Sequence, residues 1–373
     1  MDSPTLKISG VHRVQKIVAR ELESMGFKTE FFSNPSPTVE STDLLVAEIQ
    51  GERPEFITFV SHADTVQSVS TCGLFRRDDA HGFGSGVIDN KGGLVVLLEG
   101  LRLYLENRPR PAFSLRVLSS PNEEVGSLGF HELFLRYSLD SKMVLGFEPA
   151  LDNGAIIESR RGNRWYQIEV TGEEAHSGRC RGEQINAAHE LALKIAKLHE
   201  LNDEAQGLSL NIGHIQGGRD RFNVVCGQVH AKLDTRFATF ASRDRLHAEI
   251  EKILFTNHIR SFITGRTSQT TYSIVDDCPP FSNTKASALA IESILTCIHR
   301  IEGRQVASET AGGAGDVNYM SRAEIVVIDG LGPVGGKMHQ ANEFVVLSTL
   351  NSRARVLASL LNESPQLLVA TKV

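Results

Sequence analysis

The 373-residue chain has few cysteines and no large excess of charge of either sign. Its five cysteines are scattered along the sequence, and no two of them form a Cys-x-x-Cys pair. This spacing argues against a disulfide framework and against a thiolate zinc site. The net charge of −6 favours neither nucleic acid nor an anionic membrane as a partner.

Long apolar runs are also missing. No stretch approaches the roughly 18 apolar residues that a membrane-spanning helix needs. Residues 1–4, Met-Asp-Ser-Pro, have neither the basic nor the apolar character of a signal peptide. Because scattered free thiols suit a reducing compartment, we expect a cytoplasmic protein. The hydrophobic share of 41% and the charged share of 23% are ordinary for a globular chain, here long enough for two domains.

The hydrophobic pattern predicts an α/β domain that is interrupted by a second domain. The predicted strands of the first domain are 44–49, 56–60, 113–118, 143–147 and 324–328, and its predicted helices are 11–25, 92–106, 286–301 and 347–361. The intervening region follows the order β-α-β-β-α-β of a ferredoxin-like sandwich, with elements at 165–171, 183–198, 208–215, 223–237, 243–255 and 268–275. We therefore expect a catalytic domain of residues 1–160 and 277–373, with an inserted lid domain of residues 161–276.

A glycine-rich turn at 84–93, Gly-Ser-Gly-Val-Ile-Asp-Asn-Lys-Gly-Gly, contains a single carboxylate, Asp89. A lysine in a glycine-rich turn, such as Lys91, is typical of a P-loop. Here, however, Asn90 precedes the lysine where a glycine is required, and neither Ser nor Thr follows it. The glycines also lack the full spacing of a dinucleotide-binding fingerprint. Taken alone, the turn fits a solvated aspartate equally well. A carboxylate in such a turn can also use both of its oxygens to bridge two metal ions.

Histidine and acidic residues follow several of the predicted strands. The polar residues at strand ends and in glycine-rich turns are His62, Asp64, Asp89, Glu123, Glu124, Glu148 and His339. Functional groups gather beyond the carboxyl ends of strands in open α/β sheets, so we expect these side chains to lie together. Imidazole and carboxylate without thiolate suit zinc, cobalt or manganese. Two histidines, a shared aspartate and two glutamates would serve two ions, leaving one glutamate as a general base.

Six motifs in order carry a resemblance to a known family. They are Ser-His-Ala-Asp-Thr-Val at 61–66, Gly-Val-Ile-Asp-Asn-Lys-Gly-Gly at 86–93, Asn-Glu-Glu-Val-Gly-Ser at 122–127, Phe-Glu-Pro at 147–149, Ala-His-Ser-Gly at 175–178 and Met-His-Gln-Ala-Asn-Glu at 338–343. The chain resembles, over nearly its whole length, the dinuclear zinc exopeptidases and deacylases. That family includes glutamate carboxypeptidase, succinyl-diaminopimelate desuccinylase, acetylornithine deacetylase, aminoacylase and carnosinase. The Glu-Glu pair and Phe-Glu-Pro are most similar to glutamate carboxypeptidase.

The resemblance implies a three-layer α/β zinc-exopeptidase domain and an inserted ferredoxin-like α+β domain for lid closure and dimerisation. It also implies two divalent metal ions per chain. Zinc is the expected metal, and cobalt and manganese are the alternatives. His62, Asp89 and Glu148 would hold one ion, and Glu124, Asp89 and His339 would hold the other.

The resemblance further implies roles for residues that are not metal ligands. Glu123 would take a proton from the bridging water and later give it to the leaving amine. Asp64 would hydrogen-bond His62 and fix its tautomer. His176 would reach the active site of a partner subunit and stabilise the tetrahedral oxyanion. The substrate-binding positions would be Asn223 and Arg236, which would bind the substrate carboxylate, and Gly312 and Gly313, which would line the site.

The function expected from this resemblance is hydrolysis of an amide bond next to a free carboxylate, in a dipeptide or an N-acyl amino acid. A carboxypeptidase or dipeptidase and an N-acyl-amino-acid deacylase remain the two enzymatic alternatives. A non-catalytic ligand-binding protein on the same scaffold is a third, and the intact Glu123 argues against it. The role of His176 leads us to expect a homodimer through the lid, with neither nucleic acid nor membrane as a partner.

Overall fold

A computed structural model describes residues 1–36, 40, 42–322 and 324–370 of the chain. The chain divides into two compact units. The first unit comprises the chain up to Arg160, Phe281–Ala311 and the chain from Gly315 onward. The second unit comprises Arg161–Pro280 together with Gly312–Ala314. Within the described residues, no helix combines the length and the apolarity that crossing a membrane requires.

The helices and strands are numbered along the chain. The α-helices of the described residues are α1 (Ile8–Ser24), α2 (Val69–Cys72), α3 (Lys91–Asn107), α4 (His131–Ser138), α5 (Ala187–His199), α6 (Phe240–Phe255), α7 (Lys285–Glu302) and α8 (Leu347–Ala370). The first strands are β1 (Lys28–Phe32), β2 (Leu44–Ile49), β3 (Arg53–His62), β4 (Arg76–Arg77), β5 (His81–Phe83), β6 (Phe113–Ser120), β7 (Ser141–Gly146) and β8 (Ile156–Arg160). The remaining strands are β9 (Gly162–Thr171), β10 (Ser209–Gly217), β11 (Gln228–Phe237), β12 (Gln269–Cys278), β13 (Ser308–Ala311), β14 (Val326–Ile328), β15 (Gly335–Gly336) and β16 (Phe344–Val346).

The main sheet of the first unit has the strand order β1-β2-β6-β3-β7-β14. Strand β6 is buried along its whole length and β3 over its second half, as expected for apolar strands that are covered on both faces. The core is formed by this sheet with α1, α3, α7 and α8, which contribute Leu22, Leu97, Ile294 and Leu357. The predicted α/β class of the catalytic domain is confirmed.

Parallel pairing brings the ends of three strands to one edge of this sheet. Strand β3 pairs in parallel with β6 on one side and with β7 on the other. His62 is the last residue of β3, the short 3₁₀ turn Glu123–Val125 follows β6, and Glu148 follows β7. The carboxyl ends of parallel strands meet at the same edge, so the topology itself gathers these side chains.

A smaller sheet positions the glycine-rich turn. Its strand order is β15-β16-β5-β4, and β16 pairs antiparallel with β5, with Phe344 opposite Phe83. The turn at 84–90 starts where β5 ends, and Glu343 immediately precedes β16. This pairing therefore places Glu343 beside a turn that is more than 250 residues away in sequence.

The second unit is an antiparallel sheet in the order β10-β11-β9-β12. Helices α5 and α6 pack against it through Leu191, Leu198, Ile250 and Leu254, in one core with apolar residues of the strands. The alternation of buried and exposed residues along β11 matches a sheet with one covered face. The predicted ferredoxin-like lid fold is confirmed.

Two predicted element boundaries in the lid are wrong. The strand predicted over 223–237 begins only at Gln228, because residues 223–225 pair with the segment that contains His176. In that pairing Ser177 N donates to Asn223 O at 3.0 Å. The helix predicted from 183 begins at Ala187, because the Asn186 side chain accepts a hydrogen bond from His189 N and caps it.

Candidate metal centre

Asp89 lies between two histidines and presents one carboxylate oxygen to each of them. Its Oδ1 is 3.0 Å from His62 Nε2, and its Oδ2 is 3.0 Å from His339 Nε2. His62 is fully buried and Asp89 is nearly so. The arrangement would allow this one carboxylate to bind two neighbouring metal ions, one through each oxygen.

One glutamate completes each side of this arrangement. Glu148 Oε1 lies 3.5 Å from His62 Nε2, and Glu124 Oε2 lies 3.2 Å from His339 Nε2. His62, Asp89 and Glu124 also offer ligand atoms that all lie within 4.8 Å of one another. Donor atoms at about 2.0–2.2 Å from a tetrahedral zinc ion are roughly 3.3–3.6 Å apart. The observed separations of 3.0–3.5 Å lie within about 0.3 Å of this range, so two sets of ligands for small cations, with Asp89 in both, need only a small adjustment.

The electrostatics of the cluster favour a cation. Burial raises the pKa of Glu148 to about 8 and raises that of Glu124. Hydrogen bonds with Asp89 and Glu124 raise the pKa of His339 to about 10. Burial opposes ionisation of Asp89, but its bonds with His339 and His62 outweigh this and hold its pKa well below the usual range. The cluster thus contains more buried carboxylates than its two histidines can balance. Bound divalent cations would supply the missing positive charge.

Asp64 connects His62 to the Glu123–Glu124 turn. Its Oδ1 lies 3.2 Å from His62 Nδ1 and accepts a hydrogen bond from Glu123 N at 3.1 Å. Its Oδ2 accepts from Thr5 Oγ1 at 2.7 Å and from Glu124 N at 3.3 Å. Asp64 is fully buried, so these contacts orient the ring of His62 and the two glutamates together.

Glu123 lies at the edge of the cluster. Its Oε2 is 4.0 Å from His62 Nε2, which is longer than the separations within the two ligand sets. Burial raises the pKa of Glu123 well above its ordinary value. A carboxyl group that is close to the cluster and has a raised pKa holds a proton more readily, as a group that returns a proton to a leaving amine must.

Three residues around the centre were not predicted. Asn90 Nδ2 donates to Glu148 Oε1 at 2.9 Å. Asp329 accepts hydrogen bonds from Glu148 N at 3.3 Å and from Arg160 Nε at 2.7 Å. Glu343 binds the backbone of the glycine-rich turn. Asp329 follows the predicted strand 324–328, so the rule that located Glu148 could also have located it.

The predicted lid residues lie in two places within the second unit. His176 and Asn223 are adjacent, with Asn223 Nδ2 at 3.2 Å from His176 Nε2. Arg236 lies on β11, where its Nε donates to Asp234 Oδ2 at 3.0 Å. A Cβ atom added to Gly312 or Gly313 would meet nothing within 4 Å, so close packing does not require glycine at either position.

Comparison with known proteins supports the metallopeptidase interpretation. The peptidase dimerisation domain matches residues 159–259, and peptidase family M28 matches residues 45–181. Carboxypeptidase G2 from Pseudomonas sp. is 24% identical over 371 residues, covering 97% of this chain and 86% of that protein. Succinyl-diaminopimelate desuccinylase from Hahella chejuensis is also 24% identical, covering 94% of this chain and 91% of that protein.

Solved structures share the fold across both units. Aminopeptidase PepT from Bacillus cereus has a TM-score of 0.77 at 19% identity, covering 98% of this chain and 95% of that one. A dinuclear metal binding peptidase of the M20 family from Bacillus subtilis has a TM-score of 0.63 at 16% identity, with 94% and 91% covered. Its peptidase dimerisation domain and its similarity to these carboxypeptidases and desuccinylases over nearly its whole length identify the chain as a metal-dependent hydrolase of the carboxypeptidase or deacylase type.

Proposed function

We propose that the chain is a dinuclear zinc hydrolase that cleaves an amide bond next to a free carboxylate in dipeptides or N-acyl amino acids. The observation that carries the proposal is the pair of ligand sets that share Asp89 through its two oxygens. His62 and Glu148 would complete one set, and His339 and Glu124 would complete the other. Zinc suits histidine and carboxylate ligands, and cobalt and manganese are the alternatives.

Ions held by these residues would polarise the scissile carbonyl and lower the pKa of a bound water to about 7. Glu123 is the general base, since it lies beside the cluster without joining either ligand set. It takes a proton from the attacking water and returns that proton to the nitrogen of the leaving amine. His62 Nδ1–H donates a hydrogen bond to Asp64 Oδ1, so that Nε2 keeps a lone pair that points at the ligand cluster.

The lid supplies the groups that select the substrate. His176 stabilises the oxyanion of the tetrahedral intermediate, and Arg236 and Asn223 bind the substrate carboxylate. All three lie within residues 159–259, which match the peptidase dimerisation domain. Gly312 and Gly313 leave open space where a substrate could lie. The match to that domain also supports a homodimer that forms through the lid.

A deacylase is the second candidate, because the similar proteins include a desuccinylase as well as a carboxypeptidase. The two candidates differ in whether the acyl side of the scissile amide is an amino acid. Both require a carboxylate next to the leaving nitrogen. A panel of substrates that keep this carboxylate and differ in the acyl side therefore separates them.

The test is a mass-spectrometric hydrolysis screen of the zinc-loaded protein against dipeptides and N-acetyl, N-succinyl and N-aroyl amino acids, each beside its C-terminal amide. We expect cleavage only where the carboxylate is free, and loss of cleavage with a chelator. Glu123→Gln should lower kcat by about 10²–10⁴ while both ions stay bound, because the base is lost and the ligands are not. Glu132→Gln, at an exposed residue of α4, is the control.

Failure of the purified protein to bind metal or to cleave any member of the panel would contradict the proposal. Ligand binding by the metal-free protein would then favour a binding protein on this scaffold. Cleavage that persists in Glu123→Gln would remove that residue from the role of base.

A further inference from the structure

We infer that Glu343 is a positioning residue for the metal centre, because its carboxylate holds the turn that presents Asp89. The inference rests on the proposed function, since it assigns to Glu343 the task of supporting a proposed metal ligand. Glu343 itself makes none of the contacts described above among the proposed metal ligands. Its effect on the centre would be carried entirely by the backbone.

Three backbone amides of one turn converge on the Glu343 carboxylate. Oε2 accepts a hydrogen bond from Gly86 N at 2.9 Å. Oε1 accepts from Ile88 N at 3.0 Å and from Asp89 N at 3.2 Å. The residue is only 3% exposed, so water does not compete for these bonds. The last of the three amides belongs to Asp89 itself.

The segment 339–343 contributes to the ligand set of Asp89, Glu124 and His339 in two ways: it contains His339, and it binds the turn that presents Asp89. His339 and Glu343 lie four residues apart in one turn, in which Gln340 N donates to Lys337 O at 3.1 Å and Glu343 N donates to Gln340 O at 3.2 Å. Glu343 is therefore fixed relative to His339 at one end and to Asp89 at the other. The 3.0 Å separation of His339 Nε2 from Asp89 Oδ2 depends on this connection.

A carboxylate suits this position better than an amide. A glutamate offers two acceptor oxygens and no donor, and both oxygens are used here. A glutamine would keep one acceptor and turn its NH₂ group toward a backbone N–H, which would leave a buried donor unpaired. The substitution Glu343→Gln thus changes the bonding of the turn with almost no change in volume.

The test compares zinc binding of the parent, Glu343→Gln and the control Glu324→Gln, whose side chain is 76% exposed. Calorimetric titration of zinc into each metal-free protein reports affinity independently of activity. We expect Glu343→Gln to bind zinc about 10–100-fold more weakly, as for other residues that orient metal ligands, and the control to match the parent. Saturating zinc should return most of the kcat of Glu343→Gln, because the residue does not touch the reacting atoms.

Equal zinc affinity in Glu343→Gln and the parent would overturn the inference. If Glu343→Gln does not fold, as judged by circular dichroism, Glu343→Asp keeps both acceptor oxygens on a shorter side chain and decides the question by the same titration. A parent that binds zinc but cleaves no substrate would contradict the proposed function alone. A parent that binds no zinc would overturn both.

Discussion

Gly86 is a residue of the glycine-rich turn where both the backbone conformation and the surrounding atoms disfavour an added side chain. Its φ is +70°, and a Cβ atom there would lie 2.4 Å from Thr65 Cγ2 and 3.2 Å from Asp89 O. We expect Gly86→Ala to lower the free energy of unfolding by about 2–4 kcal/mol, through the left-handed backbone and the steric overlap together. Urea unfolding measures this loss, and zinc titration should show weaker binding in the same variant.

Gly73 provides the matched control. It also has a positive φ, of +79°, but a Cβ atom there would meet nothing within 4 Å. Gly73→Ala should cost only the backbone contribution, of about 1–3 kcal/mol for a residue with φ of +79° and ψ of 177°, and leave zinc binding unchanged. Equal losses in the two variants would mean that the turn relieves the overlap at Gly86 without strain.

The sequence was sufficient to predict which side chains come together, but not what holds them. His62, Glu123 and Glu148 follow apolar strands, and parallel strands end at one edge. Glu343 acts on backbone amides across the β5–β16 pairing, and no spacing of side chains encodes that contact. The sequence analysis gave Asn90 no role of its own, whereas in the structure its side chain donates a hydrogen bond to Glu148.

At the scale of elements, a buried ion pair joins the two helices of the lid. Lys194 of α5 lies 2.9 Å from Glu190 and donates to Leu254 O at 2.8 Å and to Thr256 O at 2.5 Å, at the end of α6. Both charged side chains are fully buried. We expect Lys194→Met to lower the free energy of unfolding by about 3–5 kcal/mol, because Glu190 then keeps its backbone donors but loses the cation that balances its buried charge. Trp165 on β9, the one tryptophan of the chain, reports lid unfolding by fluorescence.

Two further variants show how much of the stability lost in Lys194→Met comes from the lost charge and how much from changed packing. Lys197→Met, at an exposed position of the same helix, should change stability by less than about 0.5 kcal/mol. The double variant Glu190→Gln with Lys194→Met should be more stable than Lys194→Met alone, since no unpaired charge remains. A single variant as stable as the parent would show that the pair contributes nothing to the lid.

The elements that the sequence predicts well are those with a strong hydrophobic pattern. Helix α3, predicted at 92–106, spans Lys91–Asn107, and the buried strands β3, β6 and β7 lie where the apolar runs indicate. Strand β1, Lys-Thr-Glu-Phe-Phe, was not predicted, because it is a half-exposed strand at the edge of the sheet. Val224 and Val225 are apolar enough to extend a strand, but they pair with the His176 segment instead.

At the scale of the whole molecule, the proposed catalytic residues are divided between the two units. The ligand cluster and Glu123 belong to the first unit, and His176 belongs to the second. The insertion could be predicted because the α/β pattern resumes after β12, and the matched dimerisation domain covers residues 159–259. In the proposed dimer, the copy of the chain that would supply His176 to a given ligand cluster is set by the assembly, and no pattern within one sequence encodes it.

Mixing two inactive variants tests whether His176 acts across subunits. Glu123→Gln lacks the base but keeps His176, and His176→Ala lacks the histidine but keeps the base. If the lid of one subunit serves the site of the other, a mixed dimer contains one complete site. Random reassociation makes half of the dimers mixed, so the mixture should regain about a quarter of the parental activity on the substrate found by the screen.

Native mass spectrometry of size-tagged variants must show that mixed dimers have formed, and each variant reassociated with itself serves as the baseline. Activity that rises in proportion to the mixed dimer, with an unchanged KM, would place His176 in the partner's site. Mixed dimers without a gain would place it in the site of its own subunit, since then every site lacks one of the two residues. A strictly monomeric parent with full activity would exclude the exchange altogether, because a single chain would then hold every group that the reaction needs.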